Sequence, residues 1–166
     1  MTSLFNKSLP GARLVGLLAL SLLYFGIASA RAEVAIDITV YKSETCGCCL
    51  HWMDHLENNG IASTAQHPND LSGLKGALGI QPNMQSCHTG VVDGQYVFEG
   101  HVPAKLIKQF MAKPPKGSIG LSVPRMPVGS PGMEVGDRFD PYQVMLLMED
   151  GSAQTYATIK SPIEQY

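Results

Sequence analysis

The sequence predicts a single α/β domain with the element order β-α-β-α-β-β-α, followed by a loop and a final β-hairpin. Two observations support this fold class. Short runs rich in β-branched residues alternate with stretches in which apolar residues recur at helical spacing. Two Asp-Gly pairs, each between extended runs, are typical of hairpin turns. The pattern contains no internal repeat and no second domain.

The start of the chain has the pattern of a secretory signal peptide. Basic residues precede the apolar run 14–27, and small residues follow it in two Ala-x-Ala sites that end at Ala30 and Ala32. The apolar run is shorter than the roughly 20 residues of a membrane-spanning helix. We therefore interpret residues 1–32 as a signal peptide cleaved after Ala30 or Ala32. Residues 33–166 form the exported domain, with no membrane attachment after cleavage.

Charge argues against one class of partner. Removal of the leader takes away Lys7, Arg13 and Arg31 but no acidic residue. Of twelve Lys and Arg residues nine remain, against 14 Asp and Glu, so the exported part has a net charge of about −5. Binding to nucleic acids depends on Lys and Arg side chains that neutralise phosphates. We therefore expect no nucleic-acid partner.

The first four elements follow from local patterns. Residues 36–41 alternate between apolar and polar side chains and include β-branched residues, which predicts a strand. A helix with one apolar face follows and ends near Gly60. Residues 61–66 form a second strand. Asn69 or Asp70 can cap a short second helix.

The next elements form a hairpin and a third helix. Residues 87–92 are an extended run, and the turn Asp93-Gly94 leads from it into residues 95–99. Pro103 suits the first position of the third helix, because proline lacks the N–H that this position does not use.

The composition then changes to Gly, Pro, Ser and Met between residues 116 and 141. A segment of this length and composition predicts a functional loop without secondary structure of its own. A final hairpin, residues 142–159, turns at Asp150-Gly151.

Three of the four cysteines lie in one short segment, TCGCCLHW, as Cys46, Cys48 and Cys49; the fourth is Cys87. The helix dipole and the free N–H groups at a helix N-terminus favour the thiolate form of a cysteine there. Cys46 and Cys49 also have the spacing used for disulfide exchange. The pair alone would suit a thioredoxin-like oxidoreductase that acts on exported proteins. Structural disulfides are the other common use of cysteine after export.

The third cysteine favours a metal site over both alternatives. Only Cys46 and Cys49 form a comfortable local disulfide, which would leave Cys48 free to scramble the bond. Thiolates crowded on one loop are better explained by soft metal ions that sulfur can bridge. Cu(I) and zinc are the candidates, and zinc would prefer a second, well-separated cysteine pair.

Imidazole and thioether groups supply further candidate ligands. His51 and His55 lie four residues apart on the first helix, on the same side as Cys48. Met126 and Met133 lie in the Gly/Pro-rich loop, where packing does not require them, and thioether sulfur suits Cu(I).

Two other histidines are predicted to lie outside the site. Strand alternation would point His88 to the face opposite Cys87. We expect His101 to form a hydrogen bond near the start of the third helix.

Four stretches, CGCCLHW, SCHTGVV, FEGHVPA and VPRMPVGSPGME, together resemble one known family. They are similar, in this order, to the CopG-type periplasmic copper-resistance proteins, a thioredoxin-like family long catalogued as a domain of unknown function and unrelated to the ribbon-helix-helix repressors of that name. The resemblance implies periplasmic residence and a thiolate-bridged site for more than one Cu(I). The ligands that it implies are Cys46, Cys48, Cys49 and Cys87.

We therefore expect a copper-tolerance protein that holds Cu(I), with storage, transfer and a redox role as open alternatives and no defined turnover reaction. Copper ions, and other periplasmic copper-handling proteins, are the expected partners. Cys87 lies close to the place that a cis-proline occupies in ordinary thioredoxins, which disfavours general disulfide exchange on proteins. The third strand of such a fold runs antiparallel to the first, so we expect Cys87 within several ångströms of the CxCC sulfurs.

Overall fold

A computed structural model describes residues 35–166 of the chain. The predicted signal peptide, residues 1–32, lies outside the described residues. Within residues 35–166, no helix is long and apolar enough to cross a membrane.

The predicted order of strands and helices is confirmed, and the final hairpin is present. Along the described residues the elements are β1 (Asp37–Lys42), α1 (Gly47–Asn58), β2 (Ala62–Gln66), α2 (Leu71–Ala77), a 3-10 turn (Pro82–Met84), β3 (His88–Val92), β4 (Tyr96–Glu99), α3 (Ala104–Ala112), β5 (Ser118–Ser122), β6 (Tyr142–Met148), β7 (Ala153–Ile159) and a second 3-10 turn (Pro162–Gln165). Local signals set several boundaries. The carboxylate of Asp70 caps α2 by accepting the N–H of Gly73 at 2.8 Å.

The seven strands found within residues 35–166 form one sheet in the order β2-β1-β3-β4-β5-β6-β7. β1 is parallel to β2 and antiparallel to β3, with Lys42 at the end of β1 opposite His88 at the start of β3. β3 is antiparallel to β4. This α/β arrangement is consistent with a thioredoxin-like fold, to which β5, β6 and β7 are added at one edge. The register places the chain before β3 beside the chain that follows β1.

The sheet is covered on both faces. Alternation along β4 sends Phe98 into the larger apolar cluster, which also contains Trp52 of α1 and Phe110 of α3. Its neighbour Val97 packs into a smaller cluster with Ile80 on the other face. Burial of such a side chain contributes roughly 1.5–3 kcal/mol. The larger cluster, through Trp52 and Leu56, fixes α1 and therefore the CxCC motif against the sheet.

The prediction of a loop without secondary structure over residues 116–141 is wrong at its start. Ser118–Ser122 form β5, between β4 and β6 in the sheet. Gly120 has a φ of 153°, and a Cβ atom there would overlap the backbone carbonyl of Val97. The glycine therefore serves close contact between two strands, not a turn. The Gly and Ser residues in and next to β5 give its sequence the composition of a loop.

Candidate metal centre

The CxCC motif forms the first turn of α1. Cys46 is the N-cap residue, with an extended backbone (φ −75°, ψ 98°), and its N–H donates to the carbonyl of Ser43 at 3.1 Å. Cys46 and Cys49 are joined in a disulfide, with Cα atoms 5.5 Å apart. This is the local pair that the sequence spacing favours. Cys49 is fully buried, whereas Cys46 and Cys48 are half-buried at the surface of the turn.

Cys87 joins this turn from the bend just before β3. The sulfur atoms of Cys46, Cys48, Cys49 and Cys87 all lie within 4.8 Å of one another. The proximity predicted for Cys87 is confirmed, and the antiparallel pairing of β1 with β3 is its cause. The site therefore combines a local motif with a residue 38 positions further along the chain.

Two histidines contact Cys87. Nδ1 of His88 lies 3.2 Å from the Cys87 Sγ, and Nε2 of His101 lies 3.3 Å from it. The prediction that both histidines lie outside the site is wrong. Cys87 is in a bend before β3, so strand alternation does not separate it from His88. In the described part of the chain, neither His51 nor His55 belongs to either close group of candidate ligands.

The hydrogen bond expected of His101 is made by His55 instead. Nε2 of His55 accepts the N–H of Ala104, the first residue of α3, at 3.0 Å. Nδ1 of His101 lies 2.8 Å from the carbonyl oxygen of Pro131. A carbonyl only accepts, so this Nδ1 carries the hydrogen and Nε2 presents its lone pair to Cys87. His55 therefore stabilises the start of α3, and His101 lies against Cys87.

The Gly/Pro-rich loop lies against the first turn of α1 at Gly132. This residue has a φ of 84°. A Cβ atom there would come within 2.6 Å of the backbone nitrogen of Trp52 and 3.0 Å of the carbonyl oxygen of Cys48. Met133 follows directly. Met126, in contrast, is 48% exposed and lines a separate cavity. The loop therefore brings the segment of Met133 to the cysteines.

Comparison with known proteins relates this chain to one family. The family model described as "Protein of unknown function, DUF411" matches residues 84–133, which contain Cys87, His88 and His101. Two solved structures named "Copper resistance protein copG", forms 1 and 2, are each 44% identical to this chain with a TM-score of 0.71. Each comparison covers 76% of this chain and 99% of the other. This chain belongs to the CopG-type copper-resistance family. A search of curated proteins gives no significant match.

In this CopG-type protein, burial favours the neutral forms of Cys87, His88 and His101. Burial, and secondly the nearby Cys48, raises the pKa of the Cys87 thiol to about 12. Burial also lowers the pKa of His101, and that of His88 well below its usual value; His101 and Lys75 nearby lower the pKa of His88 further. Around neutral pH the cluster therefore offers a protonated thiol and two neutral imidazoles. A cation that binds there must displace the thiol proton.

A buried ion pair holds the segment that carries Cys87. The Lys75 Nζ lies 2.5 Å from Glu99 Oε1, and the two side chains are 3% and 0% exposed. Lys75 also donates to the carbonyl of Ser86 at 2.6 Å, and the N–H of Ser86 donates to the same Glu99 oxygen at 2.6 Å. Both backbone groups of the residue before Cys87 are thus fixed by the pair. Sequence patterns gave no sign of this role, since a lysine on a short helix is usually exposed.

Proposed function

We propose that this protein binds copper in the periplasm and supports copper tolerance by holding Cu(I) on the thiolates of Cys46, Cys48, Cys49 and Cys87. The observation that carries this proposal is the convergence of four sulfur atoms within 4.8 Å of one another. Thiolates are the soft ligands that Cu(I) prefers. The relatives named as copper-resistance proteins support copper as the metal.

We propose that the site holds more than one Cu(I). Neighbouring cysteines such as Cys48 and Cys49 cannot both bind one ion with good geometry, whereas thiolates that bridge two ions can all be used. The complete set requires reduced protein, because only Cys48 and Cys87 are free thiols while the disulfide is closed. Copper loading therefore depends on the redox state of Cys46 and Cys49.

The Gly/Pro-rich loop is proposed to add thioether ligands. Met133 follows Gly132 at the first turn of α1, and Met126 lies earlier in the same loop. Both sulfurs are of the soft class that Cu(I) accepts. Met133→Leu is expected to weaken Cu(I) binding without a change in the cysteine count, measured by competition with a Cu(I) chelator. Met126→Leu should weaken it less, because Met126 lines a separate cavity.

We propose that the protein works after export, with residues 1–32 removed as a signal peptide and other periplasmic copper-handling proteins as exchange partners. N-terminal sequencing of the protein from its host cells tests the first part. A mature chain that begins at Arg31 or Glu33 supports it, whereas a chain that still begins at Met1 contradicts it.

The metal assignment is tested by anaerobic titration of the reduced protein with Cu(I) against a chromophoric competitor. We expect more than one Cu(I) per chain and retention of that copper in the presence of excess Zn(II). The site lacks the two separate ligand pairs that zinc prefers, which is the reason for this order. Displacement of Cu(I) by Zn(II) would refute the assignment.

A second candidate function is thiol–disulfide exchange with exported proteins, favoured by the Cys46–Cys49 disulfide at the start of α1. The raised pKa of Cys87 disfavours that residue as a nucleophile, because attack requires the thiolate. Cys48→Ser separates the two functions. An exchange enzyme should keep or improve its reduction of a reporter disulfide in this variant, whereas a copper protein should lose copper.

A further inference from the structure

We infer that Cys87, His88 and His101 form a second ligand set that binds one divalent cation of the Zn(II) or Cu(II) class while the Cys46–Cys49 disulfide is closed. This inference deepens the proposed function, because Cys87 belongs to both sets. The sulfur and one nitrogen from each ring lie within 4.8 Å of one another. Both imidazoles are fully buried, and the half-buried Cys87 is where an ion would enter.

The distances fit ligands of a single ion. Metal–sulfur bonds of about 2.3 Å and metal–nitrogen bonds of about 2.0 Å, at a tetrahedral angle, separate the two ligand atoms by roughly 3.5 Å. The Cys87 Sγ lies 3.2 Å from one ring nitrogen of His88 and 3.3 Å from one of His101. Shifts of a few tenths of an ångström would therefore accommodate an ion.

The surroundings orient both rings. The Pro131 carbonyl accepts the Nδ1–H of His101, which is the support that metal-binding histidines usually have, and it leaves Nε2 free to bind. The His88 ring packs against Trp52 with centroids 4.3 Å apart. Among the described residues, His88 Nε2 is the one buried side-chain nitrogen or oxygen without a hydrogen-bond partner. The nitrogen beside Cys87 is Nδ1, so Nδ1 would bind the ion and Nε2 would carry the ring hydrogen. The packing against Trp52 therefore orients this ring, whereas a hydrogen bond orients that of His101.

Closure of the Cys46–Cys49 disulfide disables the four-cysteine set but leaves the set of Cys87, His88 and His101 complete. With the disulfide closed, the four-cysteine group keeps only two free thiols, yet Cys87 and both histidines stay together. A thiolate with two imidazoles suits ions such as Zn(II) and Cu(II), whereas an all-sulfur set suits Cu(I). The redox state of Cys46 and Cys49 thereby selects which class of ion the site holds.

Co(II) is the probe for this site, added without reductant to disulfide-closed Cys48→Ser protein, in which Cys87 is the remaining free thiol. We expect one Co(II) per chain, a sulfur-to-cobalt charge-transfer band and quenching of Trp52, the single tryptophan of the chain. Competition by Zn(II) and by Cu(II) then shows which ion binds more tightly.

Variants in the same background assign the ligands. Cys87→Ser should abolish the charge-transfer band, and His88→Gln or His101→Gln should each weaken Co(II) binding at least tenfold. His67→Gln is the control, since this histidine is exposed, and should bind as the parent does. Near-ultraviolet circular dichroism checks that each variant is folded. If His88→Gln perturbs the fold, X-ray absorption on the Co(II)-loaded parent protein tests histidine ligation instead, by counting the nitrogen atoms bound to Co(II).

Absence of Co(II) binding by the disulfide-closed protein, or binding that survives loss of both imidazoles, would overturn the inference. Either result is independent of the Cu(I) titration on reduced protein. Failure of that titration would contradict the proposed four-thiolate site and leave the Cys87–His88–His101 set to stand on its own data.

Discussion

The two segments that supply sulfur to the site are held in different ways. The CxCC turn is local: Cys46 caps α1, and its disulfide partner lies three residues away. The segment of Cys87 is fixed by distant residues, namely the Lys75–Glu99 pair that holds Ser86. One segment depends on helix geometry, and the other depends on tertiary contacts. Substitutions far from Cys87 in sequence should therefore affect copper binding, whereas the CxCC turn should respond mainly to changes within itself.

The largest expected effect is from loss of a sulfur in the tertiary segment. Cys87→Ser should leave the fold intact, since Cys87 is half-buried and outside both apolar clusters. It should lower the number of Cu(I) ions per reduced chain and reduce copper tolerance in cells. Copper analysis with circular dichroism measures this. A Cys87→Ser protein with unchanged copper content would show that the CxCC turn alone builds the site.

The buried ion pair provides the next test. Glu99→Gln or Lys75→Met leaves one partner of a buried pair unmatched, which should cost about 3–5 kcal/mol of stability. Each should also weaken Cu(I) binding, because Ser86 loses the contacts that fix the chain before Cys87. Denaturant unfolding and Cu(I) competition measure the two effects.

The double variant Lys75→Met/Glu99→Leu separates stability from positioning. An apolar replacement of a buried pair is often close to neutral for stability. We expect stability to recover while Cu(I) binding stays weak, since neither new side chain can hold Ser86. Recovery of both properties would mean that the ion pair serves only the fold.

Cu(I) binding to the wild-type protein is expected to release about one proton more than Cu(I) binding to Cys87→Ser. The pKa of Cys87 is about 12, so its thiol is protonated at neutral pH and Cu(I) must displace that proton. Affinity should fall on acidification, by about tenfold per pH unit for each displaced proton. Cys87→Ser should release about one proton fewer per chain, measured by calorimetry in buffers of different ionisation enthalpy. Equal release would place Cys87 outside the copper site.

The smallest expected effect on copper is at His55. His55→Ala leaves the buried N–H of Ala104 without its acceptor, which should cost about 1–3 kcal/mol of stability but change copper binding far less than loss of a cysteine. Burial lowers the pKa of His55 in the folded protein, so the unfolded chain binds its proton more readily. The stability difference between wild type and variant should therefore be fully present above about pH 6.5 and shrink as the pH falls below it. Thermal unfolding across this range checks the sign.

Features set by local patterns were predictable from sequence. The strand and helix order, the Asp93-Gly94 turn and the position of the CxCC motif at the start of α1 all follow from short-range periodicity and turn chemistry. Cys87 could also be placed, because the strand order of the fold class brings the start of β3 to the end of β1.

Features set by tertiary contacts were not predictable. β5 was missed because Gly120, which resembles a loop residue, accommodates the close approach of Val97. The contact of His88 with Cys87 was missed because Cys87 lies in a bend, where the alternation of a strand does not apply. Nothing near Lys75 in sequence signals that its partner, Glu99, lies 24 positions further along the chain. Each of these residues is explained by a neighbour that is distant in sequence.

X-ray absorption at the copper edge, on Cu(I)-loaded reduced protein, tests the thiolate-bridged site most directly. We expect a first shell dominated by sulfur at about 2.3 Å, similar to the length of zinc–thiolate bonds, with an additional copper–copper scattering shell. The copper–copper shell should weaken or disappear in Cys87→Ser. A first shell of nitrogen and oxygen, or sulfur without any copper–copper contribution in the wild type, would contradict a shared thiolate site for more than one Cu(I).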